Sequence, residues 1–151
     1  MTALLCAAAA AAACALPGAV LATGGGMGSM GGMGGTGPSG ATASQAEWVR
    51  SAASRFVTAE LSGSGSGACA ILYAPLRATR GGQTCEARWD ARIAKLMRTP
   101  GERRLLRAQL RHIAHAHVSV HGNVAMIALA TPLMGGANRF VWNENCWMLA
   151  S

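Results

Sequence analysis

Apolar residues at Val49, Ala52, Ala53, Phe56, Val57 and Leu61 follow the spacing of one helical face, while Arg50, Ser51, Ser54 and Arg55 fall on the other. Ser44 followed by Glu47 makes a capping box that satisfies amides left free by a first turn, so a helix is predicted to begin there. Gly63 ends it, and the Ser-Gly alternation from Ser62 to Gly67 reads as a loop. Ala68 to Leu72 reads as a short second helix halted before Pro75. Thr84 is the predicted N-cap of a third, with Cys85, Trp89, Ile93, Leu96 and Met97 on its buried stripe and Arg88, Arg92 and Lys95 pointing outward. Thr99, Pro100 and Glu102 repeat the start signal, and a helix to about Arg111 follows. Its Arg104, Arg107 and Arg111 form a basic stripe opposite Leu106, Leu110 and Ile113.

From His115 the period changes to two. Val118 and Val120 alternate with His117, Ser119 and His121, and Gly122-Asn123 offers the positive backbone angles of a tight hairpin. Val124 to Thr131, apolar on both faces, reads as a central strand ended by Pro132 and the Gly135-Gly136 pair. Phe140 and Trp142 share one face of a third strand, Glu144-Asn145 makes the next turn, and Cys146 to Leu149 closes the sheet. Helices first and an antiparallel meander last predict an α+β domain over residues 44–151, with the helices covering one face of the sheet. Trp48, Trp89, Trp142 and Trp147 are read as core, since large aromatics dominate burial in a domain this small.

Residues 1–22 precede this domain as an uncharged apolar leader, interrupted by Pro17 and Gly18. Val20-Leu21-Ala22 suits cleavage by signal peptidase after Ala22, although Met1-Thr2 lacks the usual positive charge. Cys14, after three alanines, gives a competing lipoprotein reading as a lipid-bearing residue, and an uncleaved membrane anchor is a third. Residues 23–43 form a Gly/Ser/Met-rich tract with too little bulk to bury, a disordered tether. Leader and cysteines together predict an extracytoplasmic protein with a Cys69–Cys85 disulfide. Thirteen Lys and Arg against six Asp and Glu leave a net charge of +7, which directs attention to anionic partners. Lipid headgroups or acidic cell-wall polymers fit an exported chain, and no nucleic-acid motif occurs among the basic residues.

Candidate chemistry is sparse, with no P-loop, nucleophile elbow or zinc-finger spacing. Asp90, the only aspartate, lies on an arginine-rich helix and reads as one half of a surface ion pair. His115, His117 and His121 are odd-numbered, so an extended strand projects them to one side, where imidazoles can share a metal. Met27, Met30 and Met33 add thioethers that favour Cu(I). The competing reading is solvent-facing strand histidines and a linker whose methionines have no role. Cys146 has no evident partner once the leader is removed and reads as a buried thiol.

The segments Arg55-Phe-Val-Thr-Ala-Glu-Leu-Ser-Gly63, Ala68-Cys-Ala-Ile-Leu-Tyr-Ala-Pro-Leu-Arg-Ala78, Thr84-Cys-Glu-Ala87, Val118-Ser-Val-His-Gly-Asn-Val-Ala125 and Trp147 resemble, in order and spacing, the cone-shaped nuclear transport factor 2-like superfamily, with its SnoaL-like cyclases and ketosteroid isomerases. The closer likeness is to its small exported two-cysteine members. That resemblance implies a Cys69–Cys85 bridge between the second and third helices and a curved sheet wrapped around a pocket. Enzymes of this kind place an aspartate or histidine in the cone. Here Tyr73 and His112 are the pocket candidates that could polarise a carbonyl, without a positioned base. Asn145-Cys146-Trp147 departs from the usual Gly, basic residue and Trp. The expectation is a non-catalytic binding or interaction module without a cofactor, taking a small apolar ligand, an envelope protein or a second copy. The alternatives are a copper- or zinc-binding protein and an acid-base enzyme.

Overall fold

The computed structural model of the protein describes residues 43–133 and 137–150. The leader, Cys14, Met27, Met30, Met33 and the Gly135-Gly136 pair lie outside the described residues. Five helices come first: α1 (Ala43–Ser62), α2 (Gly65–Ile71), α3 (Ala74–Arg77), α4 (Cys85–Met97) and α5 (Pro100–Ile113). Four strands follow, β1 (Val118–His121), β2 (Val124–Ile127), β3 (Arg139–Asn143) and β4 (Cys146–Ala150), in an antiparallel sheet of order β1-β2-β3-β4. The domain is α+β as expected, and the sheet is open. None of the described helices is long and apolar enough to cross a membrane.

The register places Val118, Val120, Ala125, Ile127, Phe140, Trp142, Trp147 and Leu149 on one face of the sheet. Against that face packs α1, whose Val49, Ala53, Phe56 and Val57 are fully buried. Burying valine and phenylalanine side chains is worth roughly 1.5–3 kcal/mol each, so the α1–sheet seam is a substantial part of the hydrophobic drive. On its other flanks α1 meets α2 and α5, and α4 packs on α2. Phe56 and Trp89 meet edge to face across α1 and α4, centroids 5.3 Å apart. The Cys69–Cys85 disulfide joins α2 to α4 with Cα atoms 6.1 Å apart, within ordinary disulfide reach.

Several boundaries differ from the sequence reading for local physical reasons. The first helix opens at Ala43, so Ser44 lies inside its first turn rather than at its cap. Half of the Ser-Gly loop is helical: Ser64 Oγ accepts the Gly67 N–H at 3.0 Å and starts α2 at Gly65. Pro75 does not merely stop a helix. It occupies the first turn of α3, where its missing N–H costs nothing. Thr84 caps α4 through the Ala87 N–H as predicted, whereas Thr99 offers only its backbone carbonyl to Glu102. The fifth helix runs to Ile113, and His115 N–H still bonds to the His112 carbonyl, so the strand begins only at Val118. Likewise β2 ends at Ile127, short of the expected Thr131.

Candidate functional site

Both hairpin turns sit at one end of the sheet, and there three tryptophans form a column. Trp142 on β3 pairs with Trp147 on β4, rings edge to face at 5.4 Å. Trp48, near the start of α1, lies flat on Trp142 at 5.7 Å with an interplanar angle of 11°. Trp147 is buried, but Trp48 is 43 % exposed, so it is not the core residue its size suggested. Trp142 covers part of one ring face in an offset stack, and the rest of the indole remains open enough to leave it exposed. The helical stripe explains the position: Val49 points at the sheet, and its neighbour Trp48 projects about 100° to the side.

Polar turn residues border this column. Trp142 N–H donates to the Asn123 carbonyl at 2.8 Å, drawing the first turn alongside β3, and Glu144-Asn145 follows two residues after Trp142. Gly122 sits at φ +60° in the first turn. Glu144 and Asn145 have φ of 45° and 73°, the left-handed pair a two-residue hairpin needs. Asparagine tolerates that region, whereas a glutamate there costs roughly 1–2 kcal/mol. Cys146, half-buried, donates its S–H to the Asn143 carbonyl at 3.5 Å.

A concave feature lies further along α1. A shallow groove of about 660 Å³ between α1 and α2 is lined chiefly by Ser51, Ser54, Arg55, Thr58, Ser62 and Ser66. Hydroxyl groups and apolar side chains, Ala59, Ala70 and Ile71 among them, line it together. Neither pocket candidate lines it: Tyr73 is half-buried where its N–H bonds to the Leu149 carbonyl at 2.9 Å beside β4, and His112 is exposed on α5. Between α1 and the sheet the space is occupied by Phe56, Phe140, Leu149 and their neighbours.

No protein-family model, curated protein or solved structure matches the chain.

Charge is distributed unevenly. Seven of the thirteen cations fall between Arg92 and Arg111 against one acid, Glu102, so this stretch holds six of the seven net positive charges. All seven are exposed, and Leu105, 58 % exposed, stands among the arginines of α5. Arg92 also lies over the Trp89 ring at 5.1 Å, a cation–π contact.

The acidic groups behave differently from expectation. Asp90 forms no ion pair among the described residues. Its carboxylate accepts the Gly65 N–H at 2.8 Å and ties α4 to the start of α2. Glu60, which sequence reasoning passed over, is the buried acid, 4 % exposed on the inner stripe of α1. Burial pushes its carboxyl up to about 7, with the positive charge of Arg92 pulling the other way. The signal was available, since Glu60 lies four residues after Phe56 and three after Val57. It does not line the hydroxyl groove. His115, in the turn, and His117 and His121, which flank or belong to β1, are exposed, and no three His, Cys, Asp or Glu side chains among the described residues gather around a common point for a metal.

Proposed function

We propose that the protein is an extracytoplasmic, non-catalytic interaction module that holds to an anionic envelope surface through α5 and the end of α4. The observation that carries this reading is the concentration of exposed arginine and lysine between Arg92 and Arg111, with Leu105 set among them. Each basic side chain near an anionic membrane surface contributes on the order of 1 kcal/mol, and an exposed leucine adds a small apolar anchor. A closed disulfide agrees with an oxidising compartment. On fold, the order of helices and the four-stranded meander is consistent with a nuclear transport factor 2-like domain, which we likewise propose.

The test is co-sedimentation of the full-length chain with vesicles of phosphatidylglycerol and phosphatidylcholine, against phosphatidylcholine alone. Binding only to the anionic vesicles, weakened by added salt and by the double change Arg104→Glu/Arg107→Glu, is the expected result. Equal binding to both vesicle types, or to neither, would refute it. Competition by soluble polyphosphate separates a lipid surface from a phosphate-rich cell-wall polymer.

A further inference from the structure

The geometry points to a second binding site, independent of the arginine face: we infer that Trp48, held flat on Trp142, is a stacking platform for a β-1,4-linked pyranose chain. The offset stack on Trp142 restrains the Trp48 indole, which lowers the ordering cost of presenting it to a ligand. The negative face of the ring attracts the slightly positive C–H groups that a pyranose with equatorial substituents displays on one side. A sugar also needs hydrogen-bond partners at the rim. Asn123, Glu144 and Asn145 lie at the same end of the sheet, on the two hairpin turns that flank Trp142.

The alternative occupants fit less well. A stable protein interface covers on the order of 1,000 Å² or more, with an apolar centre. On α1 the exposed positions that flank Trp48 are Ser44, Glu47 and Ser51, all polar, so the helix adds little apolar surface to the ring. One ring is what one sugar residue requires.

The experiment uses the full-length chain labelled with nitrogen-15, whose four tryptophans give four indole N–H signals. Titration with chitotetraose should move the Trp48 and Trp142 signals in a saturable manner and leave Trp89 unmoved. Maltotetraose, with its curved α-linkage, should move them far less. Trp48→Ala should weaken chitotetraose binding about tenfold or more, and Asn145→Gly should weaken it without loss of stability, since glycine suits that backbone. Unmoved Trp48 and Trp142 signals, or equal binding by Trp48→Ala, would overturn the inference. So would a Trp48 signal that moves on dilution of the protein without sugar, which would mark the ring as a self-association contact.

Discussion

Glu60 stores the clearest single-residue consequence. Its carboxyl is held near 7 in the folded chain against 4.5 as the ordinary value, so the folded state binds a proton that the unfolded state has released between those limits. The associated stability is fully present below about pH 4.5 and is lost as pH rises through about 7, on the order of 3 kcal/mol in all. Glu60→Gln removes the titration. Denaturant midpoints measured from pH 5 to pH 8, roughly spanning the two values, should fall for the native chain and stay flatter for the variant, which becomes the more stable protein at the upper end. A second prediction at this scale concerns Arg88. The sequence pattern set it outward, but its guanidinium is half-buried and donates to the carbonyls of Ala78 at 2.7 Å, Leu76 at 3.1 Å and Gln83 at 3.3 Å. Arg88→Ala leaves these groups to water and should cost about 1.5–3 kcal/mol, with hydrogen-exchange protection lost first around residues 76–83.

Among the elements, the approach of α2 to α4 sets the tightest constraint. A Cβ on Gly65 would sit 2.6 Å from the Glu86 carbonyl and collide with the Asp90 carboxylate, the group that accepts the Gly65 N–H. Gly65→Ala should therefore lower the melting temperature by several degrees, whereas Gly101→Ala, which meets open space inside α5, should be neutral or mildly stabilising. How much of this was legible in the sequence differs by element. Long periodic stretches spoke plainly: α1, α4 and α5 appear where their apolar stripes placed them, because a stripe that must face the core fixes both type and phase of a helix. Both hairpin turns were legible from Gly122-Asn123 and Glu144-Asn145. The Ser64 cap that turns a flexible-looking repeat into α2 was not, since a serine among glycines carries no signal until its hydroxyl has an amide to meet. Nor was the exposure of Trp48. Size predicts burial, and only the crossing of α1 over the sheet end decides which side of the helix reaches solvent.

For the whole molecule, the uneven charge and the Cys69–Cys85 link matter most. With six of seven net charges on one stretch, binding to anionic surfaces should be oriented, with α5 toward the surface and other faces away. Fluorophores placed at Ala108 on α5 and at Ser119 on β1 should then report unequal quenching by lipid-borne quenchers, stronger at Ala108. The Cys69–Cys85 link closes a loop with a sequence separation of 16, worth about 3 kcal/mol by loop entropy. It joins α2 to α4 and no strand, while the strands rest on α1, on their own ladder and on the pairing of Leu72 and Tyr73 with Leu149. A copy of the chain retained among cellular thiols would lack this link and would offer the stretch from Tyr73 to Thr84 to proteases while its strands were still paired. The position of one covalent bond thus decides which part of the fold a reductant loosens first.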